Sequence, residues 1–98
     1  KSNYEVFIAR DGQEALDILK TNFPDVIILD IMMPMVDGFA TLEQIRKDAN
    51  LQHTKVMFLS AKNKESDIEK GLALGADAYM TKPFSIKKVI EKVEELLS

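Results

Sequence analysis

Apolar and polar positions along the chain switch repeatedly between a period of two and a helical period. Val26-Ile27-Ile28-Leu29 is a short continuous apolar run, three of its four residues β-branched. Pro24-Asp25 bounds it on one side and Met32-Met33-Pro34 on the other. Such a run predicts a strand buried on both faces and ending at Asp30. Residues 4–9 alternate enough to predict a strand with one more exposed face. Residues 55–60 predict a third strand ending at Ser60. Residues 76–80 predict a short fourth, ending at Thr81-Lys82-Pro83.

Helical spacing fills the intervals. Asp11 and Glu14 have capping-box spacing ahead of Ala15, Leu16, Ile18 and Leu19, and that helix should stop near Asn22, before Pro24. Residues 32–36 read as a loop. Asp37 can cap a helix with the stripe Phe39, Leu42, Ile45 and Ala49. Residues 50–54 read as a polar connection. Asn63 or Ser66 can start a helix carrying Ile68 and Leu72, with Gly75 at its C-terminal stop. Ser85 caps a last helix whose stripe, Ile86, Val89, Ile90, Val93, Leu96 and Leu97, is the clearest helical period in the chain and predicts core.

Four β-α units in succession predict an α/β fold: a parallel sheet with alternating helices and right-handed crossovers. No linker, repeat or low-complexity segment divides it, so a single domain over residues 1–98 is expected. The four glycines are isolated, so neither nucleotide-binding glycine fingerprint is present.

Composition narrows the function. A net charge of -3 argues against a nucleic-acid surface, which is usually basic. The chain has no cysteine, hence no disulfide framework, thiolate metal site or Cys nucleophile. No apolar stretch approaches the roughly 20 residues of a membrane span. No signal peptide is visible, and a cytoplasmic setting is expected.

The candidate chemistry lies at the strand ends. In a parallel sheet all strand C-termini share one edge, where α/β folds build their sites. Asp30, Ser60 and Lys82 therefore meet there. Asp30 alone reads equally as a cap of the following loop, since Asp is common in turns. Together with a hydroxyl and an ammonium it can do nucleophilic phosphoryl chemistry. The carboxylate attacks phosphorus to give an acyl phosphate, and Ser60 and Lys82 bind the phosphoryl oxygens.

In order and register, a set of short motifs then resembles the receiver domain of two-component response regulators. They are Asp11-Gly12, Pro24-Asp25, Leu29-Asp30-Ile31-Met32-Met33-Pro34 and Asp37-Gly38. Further on come Leu59-Ser60-Ala61, Gly75-Ala76-Asp77, and Tyr79 with Lys82-Pro83-Phe84. The resemblance implies a flavodoxin-like fold and phosphorelay signalling. It implies that Asp30 is the phosphoacceptor, that Ser60 bonds the phosphoryl group after transfer and that Lys82 pairs with its charge. Tyr79 matches the aromatic that turns inward when Ser60 moves. Lys82-Pro83 matches a cis peptide, and the Met32 backbone carbonyl a ligand of the family's Mg²⁺, together with Asp30. Implied partners are a histidine kinase or phosphotransfer protein and a downstream effector protein or domain, with no direct nucleic-acid or membrane contact. The implied activity is that of a switch, with self-catalysed transfer to Asp30 at most, and not that of a metabolic enzyme.

The family pattern begins with a further strand ending in two acidic residues, then a helix; this chain starts after both. By the resemblance it is a truncated receiver whose absent strand would lie between residues 4–9 and 26–29, and whose absent acids would hold Mg²⁺. Asp30 and one carbonyl are a short donor set for a hard cation. Two ways of closing the slot are expected: the first strand moves into it, or another chain supplies a strand in a homodimer or swapped assembly. The alternative function is a β-α scaffold that assembles in that way without being phosphorylated. A phosphatase with an acid nucleophile would want a second carboxylate where Met32 stands. His53 reads as an exposed bystander. Lys62 reads as a surface lysine near the site, and Met32, Met33 and Met35 as loop packing.

Overall fold

The computed structural model describes residues 4–31, 35–61 and 65–97, the side chains of residues 31 and 35–37 excepted. In chain order the elements are β1 (Val6–Ala9), α1 (Gly12–Thr21), β2 (Val26–Ile31) and α2 (Met35–Lys47). A short 3-10 turn (Ala49–Leu51), β3 (Lys55–Ser60), α3 (Glu65–Ala73), β4 (Ala78–Thr81) and α4 (Ile86–Leu97) follow. The strands form one parallel sheet in the order β1-β2-β3-β4. Val6 pairs with Val26 and Ala9 with Leu29, so β1 lies directly against β2. Among the described residues no strand lies between them.

β2 holds the fold together. Val26, Ile27, Ile28 and Leu29 are all buried, as the unbroken apolar run predicted. Their alternate side chains enter two cores. Ile27 and Leu29 pack with Ala9, Val56 and Phe58 beneath Ala15 and Leu19 of α1 and Phe39, Leu42 and Ile45 of α2. Val26 and Ile28 pack with Met57, Leu59 and Ala78 beneath Val93 of α4.

Local signals placed most element ends. Asp11 accepts the Glu14 N–H at 2.8 Å, and the Glu14 carboxylate accepts the Arg10 N–H, a box displaced by one residue. Ser85 accepts the Lys88 N–H at 3.1 Å, capping α4. At the end of α3 the Ala76 N–H donates to Gly71 O and the Gly75 N–H to Leu72 O. That pair closes the helix around Gly75, whose φ of 117° suits a residue without Cβ.

Several expectations are corrected. α2 begins at Met35, so residues 35 and 36 are helical and Asp37 belongs to the first turn instead of capping it. Ala49 lies beyond α2, exposed in the 3-10 turn, and Leu51 fills the core in its stead. Leu72 is exposed, while Gly71 takes the buried face of α3. Strand β4 starts at Ala78, because Asp77 is used for polar contacts. On α4, Ile86 and Ile90 are 72% and 50% exposed instead of core. Among the described residues α4 is the only helix packed on that face, so its flank toward β1 meets no neighbour. Asn63 as a helix start and residues 32–34 as a loop lie outside the described residues.

At the N-terminal edge of the sheet, Arg46 of α2 ties three segments together. Its guanidinium donates to Gly75 O (2.9 Å), to Thr54 O (3.0 Å) and to Asp77 (2.6 Å). Asp77 also accepts the Val56 N–H. A Cβ at Gly75 would stand 2.9 Å from Arg46 Cγ, at a φ that L side chains avoid. Gly75→Ala is therefore expected to cost more than about 1 kcal/mol in urea unfolding, whereas Ala73→Gly, in the exposed last turn of α3, should cost less.

Candidate functional site

The sheet register brings the candidate residues to one edge. Asp30 is the penultimate residue of β2, and Ser60, the last of β3, pairs with Ile31. Ser60 also pairs with Thr81, and the Lys82 N–H donates to Ser60 O at 2.8 Å. The Lys82-Pro83 peptide is cis, as the motif implied.

Lys82 Nζ stands 2.6 Å from Asp30 Oδ1, with both side chains about a quarter exposed. That oxygen is shielded from water and, among the described residues, has no partner in hydrogen-bond geometry. The contact is thus an ion pair by distance without an aligned donor. Coulomb attraction has no angular requirement, so the charge is compensated while the lone pairs are not.

Ser60 belongs to the other face of the pleat, with Val56 and Phe58. It is fully buried, and its side chain is hydrogen-bonded with that of Tyr79. Tyr79 is half-buried. Its ring meets Phe58 edge-on at 5.7 Å between centroids, and Phe58 meets Phe39 likewise at 5.9 Å. The edge therefore carries two couples: Asp30 with Lys82, and Ser60 with Tyr79. Burial pushes the Tyr79 hydroxyl above its ordinary pKa. The bond with Ser60 opposes that rise, and the Asp67 carboxylate adds to it.

On the α4 side, Asp30 borders an apolar groove of about 410 Å³ lined chiefly by Val6, Ile8, Ile28, Phe84, Ile86 and Ile90. Among the described residues no three His, Cys, Asp or Glu side chains gather as a metal cluster. The shielded Asp30 Oδ1 would suit a cation, but the described residues gather no group of three ligating side chains around it. The set does not fit Mg²⁺ by itself, since an octahedral shell would fall almost wholly to water. The Met32 carbonyl, Met33 and Lys62 lie outside the described residues, as does the side chain of Met35. His53 is exposed, as expected of a bystander. No described helix is long and apolar enough to cross a membrane.

Arg46, Phe58 and Gly71 had no assigned part in the sequence reading. Arg46 reaches Gly75 and Asp77, 29 and 31 residues away, and Phe58 packs with Phe39 and Tyr79 on other elements, which no local period reveals. Gly71 had a signal: a glycine inside a helical pattern is costly and calls for a packing reason.

A family profile described as the response regulator receiver domain matches residues 1–94. The chain is 43% identical over 97 residues to the alkaline phosphatase synthesis transcriptional regulatory protein PhoP of Bacillus subtilis (strain 168). The match takes in 99% of this chain and 40% of that protein, so the chain spans about two fifths of this relative's length. Among solved structures, the receiver domain of the Francisella response regulator 1452 superposes with a TM-score of 0.82 at 35% identity, covering 96% of each chain. The receiver domain of the sensor histidine kinase PA1611 from Pseudomonas aeruginosa superposes at 0.81 and 20% identity, over 99% of this chain and 100% of that one. That structure is described with a magnesium ion coordinated in its active site cleft.

The raised Tyr79 hydroxyl has a consequence for stability. A folded-state pKa above the unfolded value means that the folded chain holds the proton more tightly. The stabilisation is complete below the ordinary tyrosine value, about 10, and is lost as pH rises through the folded value. Unfolding free energy measured by urea titration between pH 9 and 11.5 should therefore fall more steeply in the parent than in Tyr79→Phe.

Proposed function

The chain belongs to the response-regulator receiver family and is a receiver of phosphorelay signalling, and within it we propose that Asp30 is the phosphoacceptor. The observation that carries this reading is the Lys82–Asp30 pair: a shielded carboxylate oxygen 2.6 Å from an ammonium, with no aligned donor, at the C-terminal edge of a parallel sheet. A carboxylate oxygen at the strand ends, with its counter-charge beside it, can attack phosphorus.

The donor is the phosphohistidine of a histidine kinase or phosphotransfer protein. An Asp30 oxygen bonds to phosphorus as the P–N bond breaks, and the departing imidazole nitrogen takes a proton. The negative charge moves outward from the carboxylate onto the phosphoryl oxygens. Lys82 follows it, keeping a cation beside the developing charge. Ser60 exchanges its bond with Tyr79 for one to a phosphoryl oxygen, and Tyr79 turns in behind it. The signal then leaves through the surface of α3, β4 and α4 to a downstream effector, protein or domain. Residues 1–98 act as one such domain in a cytoplasmic setting. The chain is a switch whose only chemistry is the transfer to Asp30.

Magnesium belongs to the family and is named in the description of one structural neighbour. The donors described in this chain do not complete a shell for it, so no step here runs through the metal. The scaffold alternative gains no support from the fold or from the relatives.

Intact mass after incubation with acetyl phosphate, with and without Mg²⁺, tests the reading. One phosphoryl group should add to the parent and none to Asp30→Asn, and an equal adduct on Asp30→Asn would place the nucleophile elsewhere. Lys82→Met should slow adduct formation by roughly 10²-fold, the usual cost of removing one charge-stabilising donor.

A further inference from the structure

Gly71 lies on the buried face of α3, directly over the rings of Phe58 and Tyr79. A glycine inside a helix is intrinsically unfavourable. Its missing side chain is what lets the two aromatic rings occupy their places. A Cβ built on Gly71 would stand 3.2 Å from Tyr79 Cδ2 and 3.3 Å from both Phe58 Cδ2 and Cε2. Those distances are tighter than ordinary carbon contacts, so one ring would have to give.

The two rings are unequal in freedom. Phe58 is fully buried and held edge-on between Phe39 and Tyr79. Tyr79 is half-buried and has a solvent side to move toward. Phe58 and Tyr79 are register partners, and Ser60 lies two residues further along the same face of β3. The Tyr79 ring thus leans along the sheet beneath Gly71 to bring its hydroxyl to Ser60.

We propose that Gly71 is a positioning residue of the switch: by withholding a side chain from α3 it seats the Tyr79 ring within reach of Ser60. The inference rests on the reading of Ser60 and Tyr79 as the couple that responds to phosphorylation. It extends that reading to a residue on a different element. Gly71 acts only through the Tyr79 ring, so its effect on Ser60 requires that ring. A role confined to helix packing would act on the backbone of α3 and reach Ser60 with or without it.

The test uses the unphosphorylated chain, so it is independent of whether Asp30 accepts a phosphoryl group. The chain has two tyrosines, and Tyr4 serves as an internal control. With ¹³C-labelled tyrosine and a ¹⁵N backbone, Gly71→Ala should shift the Tyr79 ring signals and the Ser60 amide beyond their line widths and leave Tyr4 unmoved. In a Tyr79→Leu background the same Gly71→Ala change should leave the Ser60 amide in place. A folded Gly71→Ala protein with unmoved Tyr79 and Ser60 signals overturns the proposal. So does a Ser60 shift of equal size without the ring. If Gly71→Ala alone fails to fold, Tyr79→Leu/Gly71→Ala should restore folding. A double variant that stays unfolded would assign the clash to Phe58 and reject the role of Tyr79.

Discussion

Burial of β2 on both faces is the constraint from which the architecture follows. Four apolar residues with no solvent-facing side must be covered above and below, so helices lie on both faces of the sheet. Helices that return the chain to the same end of the sheet make every strand parallel, which aligns the C-terminal ends of β2, β3 and β4. Asp30, Ser60 and Lys82 are far apart in sequence and share one sheet edge only because of that alignment. The chemistry of the edge is a by-product of how the centre is buried.

The strength of each local signal determined what could be read from sequence. The unbroken run at residues 26–29, the Ser85 cap and the Gly75 stop each express one local rule, and each appears where expected. The shared edge of Asp30, Ser60 and Lys82 was legible too, because parallel topology alone brings strand ends together, but the division of their side chains between the two faces was not. The failures share a cause. Ala49, Leu72, Ile86 and Ile90 all fit a helical stripe, but a stripe shows which positions are apolar and not which neighbour covers them. Ile86 and Ile90 continue the stripe of Val89 and Val93, yet the sheet beneath β1 carries no helix beside them among the described residues. The links from Arg46 to Asp77 and from Tyr79 to Ser60 span long stretches of chain and leave no local period.

The two tertiary ion pairs described in the chain show how one interaction type serves two ends. Arg46–Asp77 and Lys82–Asp30 have the same 2.6 Å separation. At the N-terminal edge every strong group is engaged. Arg46 donates to two carbonyls besides Asp77, and Asp77 also accepts a backbone N–H. Removing either partner would strand the others, which is the signature of a structural clamp. At the C-terminal edge the carboxylate has its counter-charge but an oxygen without an aligned donor. Arginine suits the first role because its planar fork fixes several acceptors at once, and lysine suits the second because a point charge on a flexible stem can follow a moving negative charge. A chain that satisfied Asp30 as completely as Asp77 would hold that carboxylate more firmly. On the proposed role of Asp30 as phosphoacceptor, that looser engagement leaves the oxygen open to the incoming phosphoryl group.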